Sequence, residues 1–337
     1  MVSAMKRKET INKQTRQADQ VKHSGKTKQV NERPVKQNLL KALILMLFCI
    51  SALIPGANAQ DEKPDLSFGL IADIQYAQAA SRGTRFYKNS LPKLSTAIAE
   101  LNKGKLAFLI NLGDVTDRNP EDLKPVLNEL DKFNSKVYNL AGNHDYAGVE
   151  DNQNLYRALG MPGEYYAIRK AGWRLLMLNT NELSAYANIK GTWKEAEFDS
   201  VVTSARKVSS KNLEPYNGAL SSRQMAWLEN NLQQAASKNE KVIIFSHHPF
   251  SCANGLEALN GKELLAMISR YPCVKALIAG HHHTGGYCEE SGIPSVIIEG
   301  MVETEHENAW GIVELYQDKI LINGKGRVSS RIIKFKS

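Results

Sequence analysis

Apolar residues fall along the chain in short blocks whose period switches between about 3.6 and the continuous runs of buried strands. Residues 66–71 form a mostly apolar run, and residues 85–103 place Leu91, Leu94, Ile98 and Leu101 at helical spacing. Residues 106–112 are apolar again, 122–133 are helical, and 136–141 return to a strand pattern. This alternation predicts an α/β domain whose parallel strands are buried on both faces. A hairpin is expected next, with residues 165–168 and 173–179 flanking Lys170-Ala171-Gly172. Residues 181–219 then lose clear periodicity yet carry Tyr186, Trp193, Phe198 and Tyr216, which favours an inserted lid over a disordered linker. Order resumes with a helix over 221–236, capped by Ser221 or Ser222, a strand at 242–245, a helix at 261–269 and a strand at 274–279. Short β-type runs at 296–299, 311–315, 319–322 and 331–335 close the pattern.

Length and charge add a leader to this picture. The 337 residues, 42% of them apolar, can bury a substantial core. The formal charge of +8 suggests nucleic acid until it is located. Residues 1–59 hold 11 Lys+Arg against 3 Asp+Glu, and the rest of the chain balances at 32 of each. No nucleic-acid partner is therefore expected for the folded part. The basic stretch gives way to an apolar run over 42–54, then Pro55-Gly56 and Ala57-Asn58-Ala59. That order is the layout of a signal peptide with a long basic n-region, cleaved after Ala59. An exported protein, periplasmic or secreted, is the expectation, touching a membrane only in transit. The alternative is an uncleaved anchor, but the run falls short of the ~20 apolar residues a bilayer span needs. Cleavage leaves a single domain over 60–337 with Cys252, Cys273 and Cys288, which permits one disulfide and a thiol, or none.

Five polar motifs stand where apolar strands run out: Asp73-Ile74-Gln75, Gly113-Asp114, Gly142-Asn143-His144-Asp145, Ser246-His247-His248-Pro249 and Gly280-His281-His282-His283. In open α/β sheets the chemistry sits in loops beyond the carboxyl ends of strands. Two divalent cations need hard ligands, one bridging carboxylate and open positions for water and substrate. Asp73 and Asp114 supply charge, Asn143 a neutral carbonyl, and His247, His281 and His283 imidazoles. His144, next to that set but off it, suits proton transfer to a leaving group. Each motif alone could be a turn, a helix cap or strand-end packing. Their conjunction is harder to dismiss, because six of the 8 histidines fall in three of these motifs.

The order of these motifs resembles that of the calcineurin-like metallophosphoesterase superfamily over about residues 66–326. Gln75 stands where most of that superfamily has histidine, and in this form the chain resembles the manganese-dependent ADP-ribose/CDP-alcohol diphosphatases. Tyr216-Asn217-Gly218-Ala219-Leu220-Ser221, Gln224 with Trp227-Leu228, the stretch Gly280 to Tyr287, and Glu299-Gly300-Met301-Val302-Glu303-Thr304 are similar to the same family. The resemblance implies a four-layer α-β-β-α sandwich. It also implies a first cation among Asp73, Gln75, Asp114 and His283, and a second among Asp114, Asn143, His247 and His281. Asp114 would bridge them, with His144 as the catalytic histidine.

An amide oxygen at Gln75 favours Mn2+ or Mg2+ over Zn2+, with Fe also open. Either that oxygen ligates or a water takes its place. His248 and His282 fall outside the implied ligand set. The implied substrate is a small nucleotide-derived molecule, with Tyr216, Asn217 and the aromatics of 181–219 as candidates to grip the nucleoside. A phosphomonoesterase, a cyclic-nucleotide or other phosphodiesterase of the same fold, and an inactive binding module are the competing readings.

Overall fold

In a computed structural model, residues 63–208 and 210–335 are described. The leader expected over 1–59, and Cys49 within it, lie outside them. No helix among the described residues is long and apolar enough to cross a membrane.

The continuous apolar runs become strands whose two faces are buried against different partners. β1 (Leu66–Ile71) pairs parallel with β2 (Leu109–Asn111), and β2 with β3 (Val137–Asn139). On its other side β1 pairs antiparallel with β10 (Ala309–Leu315), which continues to β11 (Lys319–Gly326) and β12 (Arg331–Lys334). The second sheet runs β4 (Tyr166–Lys170), β5 (Trp173–Met177), β6 (Lys241–Ser246), β7 (Val274–Ala279), β9 (Ile293–Ile297) and β8 (Gly286–Glu290). Here β5, β6, β7 and β9 are parallel, with antiparallel β4 and β8 at the edges.

Along β6, Ile243 and Phe245 join the cluster between the sheets, and Val242 and Ile244 join the outer one. Phe245 meets Phe68 of β1 edge-on, ring centroids 6.1 Å apart. The outer cluster is closed by Leu228, Leu232 and Ala235 of one helix (Ser222–Ser237) and Leu264, Leu265 and Ile268 of another (Gly261–Ile268). On the far side, α1 (Ser90–Leu101) and α2 (Leu123–Leu130) bury Leu94, Ile98, Leu101, Val126 and Leu130 in the first cluster. Gly69 of β1 leaves the space that Leu109 of β2 and Leu101 of α1 fill. The result is the expected α-β-β-α sandwich.

Several elements depart from the sequence pattern. The helix expected from residue 85 begins at Ser90, because Arg85 bridges to Glu303 and Phe86 N–H bonds the Val302 carbonyl. β2 and β3 are each three residues long, shorter than their apolar runs. A short helix, α3 (Asn152–Ala158), capped by Asp151, was not foreseen. The polar segment expected to lack periodicity contains α4 (Trp193–Lys207), capped by the Thr192 hydroxyl. Of its residues only Ala205 is buried, so no apolar stripe advertised it. Leu183 and Ala219 exchange two backbone hydrogen bonds (3.1 and 2.9 Å) at the neck of this segment. The two helices named above for the outer cluster are α5 (Ser222–Ser237), capped by Ser221, and α6 (Gly261–Ile268). Cys252 and Cys288 form a disulfide, tying the loop after β6 to β8, and Cys273 is a free thiol.

Candidate metal centre

All five motifs lie at or beyond the carboxyl ends of parallel strands: β1, β2 and β3 of one sheet, β6 and β7 of the other. Four of their residues hold left-handed backbone without being glycine: Asp73 (φ 51°), Gln75 (41°), Asp114 (53°) and His281 (67°). Such geometry costs about 1–3 kcal/mol per residue and persists only where the surroundings enforce it. Here they do. Gly142 has no room for a Cβ, which would collide with the Asp114 carboxylate. Asp145 binds two loops together: its Oδ1 accepts from Val115 N (2.8 Å) and Thr116 N (2.9 Å), and its Oδ2 from Gly142 N (2.8 Å). Burial and the nearby Asp114 charge push its carboxyl up to about 7, and the Gly142 and Thr116 N–H groups oppose that.

The polar atoms converge in two groups. Ligand atoms of Asp73, Asp114 and His283 lie within 4.8 Å of one another, as do those of His247, His248 and His281. His247 Nε2 is 3.1 Å from Asn143 Oδ1, 3.4 Å from Asp114 Oδ2 and 3.2 Å from His281 Nδ1. His283 Nε2 is 3.6 Å from Asp73 Oδ1. Asp114 therefore stands between the groups, its Oδ1 also accepting the His144 N–H at 2.9 Å.

The donor chemistry fits a pair of divalent cations. In each of three histidines one ring nitrogen is committed to an oxygen behind it, which leaves the other facing the centre. His247 Nδ1 bonds the Leu112 carbonyl (2.9 Å), His281 Nε2 the Asn217 Oδ1 (3.2 Å), and His283 Nδ1 the Glu303 Oε1 (2.8 Å). Gln75 is fully buried, its Nε2 donates to Asp114 Oδ2 (3.1 Å), and its Oε1 has no hydrogen-bond partner. An orphaned amide oxygen beside two buried carboxylates is what a hard cation would satisfy.

The electrostatics agree. Burial raises Asp73, and Asp114 adds to the rise. Burial works against ionising Asp114 too, but His247 and His144 beside it hold its carboxyl well below the usual range. Burial alone would lower His247, yet the Asp114 charge raises it to about 9.

The other candidate residues sort by what they touch. His144 lies off the cluster, its Nδ1 2.8 Å from the Asp117 carbonyl and 3.2 Å from Asp117 Oδ1. His248 has both nitrogens engaged, with Thr180 Oγ1 (2.8 Å) and the Tyr216 carbonyl (2.9 Å), so it offers no free lone pair. His282 turns to Thr284 Oγ1. Tyr216 is half exposed, its ring 5.9 Å from that of His281. Asn217, expected among the nucleoside contacts, is buried behind His281. Its Nδ2 donates to the carbonyls of Asn212 (2.9 Å) and Gly255 (2.7 Å), which leaves nothing for a ligand.

The sequence reading gave no role to Asp117, Asp145 or Glu303. Two of them lie within or just after the quoted motifs, and Glu303 follows β9, where the same strand-end rule pointed. Beside His144 opens a cleft of about 390 Å³ lined by Asn143, Tyr146, Ala147, Tyr186, Pro215 and Tyr216.

Comparison with known proteins agrees with this geometry. Residues 66–285 match the family model for calcineurin-like phosphoesterases. The manganese-dependent ADP-ribose/CDP-alcohol diphosphatase of Xenopus laevis is 29% identical, covering 82% of this chain and 92% of the relative. The protein of that name from Arabidopsis thaliana is 30% identical over 80% of this chain and 96% of its own. A dimetal phosphatase structure from Danio rerio superposes with a TM-score of 0.72 at 26% identity, over 81% of this chain and 100% of that one. Sequence, fold and ligand geometry thus converge, and the chain belongs to the calcineurin-like phosphoesterases as a hydrolase dependent on divalent metal.

Proposed function

We propose that the protein hydrolyses the phosphoanhydride of nucleoside diphosphate-X compounds such as ADP-ribose or CDP-alcohols, supported by Mn2+. The observation that carries this reading is the cleft beside His144. Tyr146, Tyr186 and Tyr216 bring three aromatic rings to its wall, next to the residues that would hold the cations. A volume of about 390 Å³ suits part of a nucleotide, and tyrosine faces stack on a planar base. The names of the relatives point the same way.

Asp73, Gln75, Asp114 and His283 would hold one cation, and Asp114, Asn143, His247 and His281 the other. Bound there, the pair supplies an activated water and neutralises the phosphoryl oxygens. The remaining steps fall to the chain. The Asp117 carbonyl accepts from His144 Nδ1–H, which leaves Nε2 as the nitrogen that delivers a proton to the departing phosphate oxygen. The Asp117 carboxylate lies 3.2 Å from the same nitrogen and helps hold the ring in that orientation. The tyrosine wall orients the nucleoside and excludes water from one side of the cleft.

The test is product analysis with Mn2+ over ADP-ribose, CDP-choline, cyclic nucleotides and p-nitrophenyl phosphate. Release of nucleoside monophosphate from the first two is expected. Turnover of the simple monoester alone would overturn the reading and leave a general phosphatase.

A further inference from the structure

Lys93 is buried in an unusual place for a lysine. It lies on α1 among the buried Leu94, Ala97, Ile98 and Leu101, and is 6% exposed. Burial lowers its ammonium to about 8, and Arg327 adds to the fall. Such a position is costly unless every donor is used. All three are. Lys93 Nζ donates to the carbonyls of Met301 (2.5 Å), Glu303 (2.9 Å) and Thr304 (2.9 Å).

The segment that offers these carbonyls turns its other groups toward one half of the metal centre. Met301 N donates to the Ala72 carbonyl (3.0 Å), Val302 N to that of Asp73 (2.9 Å) and Gly300 N to that of His283 (3.1 Å). The Glu303 carboxylate takes His283 Nδ1 at 2.8 Å. Arg327 adds a second cationic grip, Nη1 on the Gly300 carbonyl (2.7 Å) and Nη2 on that of His283 (3.1 Å). Among the described residues, segment 300–304 makes no hydrogen bond to Asn143, His247 or His281.

We propose that Lys93, assisted by Arg327, is a positioning residue for the first cation only: it clasps segment 300–304 in the conformation that seats Asp73 and orients His283. The inference rests on the two-cation reading. Removing the clasp should loosen one cation and spare the other, which a general loss of packing would not do. Removal of a group that orients a metal ligand typically weakens affinity by about 10–100-fold.

The experiment is calorimetric Mn2+ titration of the wild-type protein and of Lys93→Met, Lys93→Arg and Arg327→Met, with His283→Ala and His247→Ala marking the two sites. Wild type is expected to take two ions. Lys93→Met should weaken, by about 10–100-fold, the site lost in His283→Ala while keeping the one lost in His247→Ala. Lys93→Arg should restore most of the affinity, and Arg327→Met should weaken the same site less. A folded Lys93→Met with both affinities unchanged, or both lowered alike, would overturn the inference while the two-cation reading stands. If Lys93→Met does not fold, an unchanged Arg327→Met overturns it. Wild type taking fewer than two ions would overturn the two-cation reading, and this inference with it.

Discussion

Each candidate histidine ligand depends on an oxygen behind it, and Glu303 is the charged one among those oxygens. The hydrogen bond from His283, with burial opposing, lowers the Glu303 carboxyl from the ordinary 4.5 to about 2. A carboxyl lowered on folding stabilises the native state fully above its unfolded value, and that contribution is lost as pH falls through the folded one. In metal-free protein, Glu303→Gln should therefore be less stable than wild type at pH 7. The gap should shrink steadily below pH 4.5. Urea midpoints at pH 7, 4 and 3 measure it, and a gap of constant size would refute the assignment.

Gln75 is the other decisive single residue. Its buried, unpartnered oxygen is a hard donor, which suits Mn2+ better than Zn2+. Replacing it with histidine should raise the ratio of Zn2+-supported to Mn2+-supported activity by about tenfold, the equivalent of about 1.4 kcal/mol. An unchanged ratio in metal-reconstituted enzyme would show that this side chain does not ligate.

At the scale of elements, the strands that carry the site were legible because all but the edge strand β3 are buried on both faces, which writes a continuous apolar run. The termini of β2 and β3 were not, since burial continues past the last sheet hydrogen bond. β8 escaped notice because this edge strand, Gly-Tyr-Cys-Glu-Glu, is largely exposed. α4 was missed for the matching reason on a helix. Its segment matters because it brings Tyr186, Pro215 and Tyr216 to the cleft from between the paired Leu183 and Ala219. Lys194, at the start of α4, pairs with Glu164 (2.5 Å) and anchors the segment to the body. If Tyr216 stacks on the nucleoside, Tyr216→Ala should lower kcat/KM for ADP-ribose by about tenfold, mainly through KM, as loss of roughly 1.4 kcal/mol of stacking implies. The effect on p-nitrophenyl phosphate should be smaller. Equal losses on both substrates would place Tyr216 with the metal centre instead.

At the scale of the molecule, the centre is assembled from two sheets that share no hydrogen-bonded strand pair, so its integrity depends on the core between them. Asp73, Asp114 and Asn143 come from one sheet, and His247, His281 and His283 from the other. The sequence by itself marked the candidates for that place. Strand ends are marked locally by the change from apolar to polar, and hard-ligand chemistry restricts residue type. It also determined the α/β class, through period and order. It left the pairing of cysteines open, because joining Cys252 to Cys288 is a fact of three-dimensional proximity. Only the tertiary structure decided which nitrogen of each histidine faces inward, because that depends on Leu112, Asn217 and Glu303, oxygens distant in sequence. The same holds for Asn217, which moved from the cleft to the back of His281, and for Lys93, whose three carbonyl partners lie some 210 residues away. Local pattern records what a residue must avoid or bury. The partner that satisfies a buried polar atom is chosen by the fold.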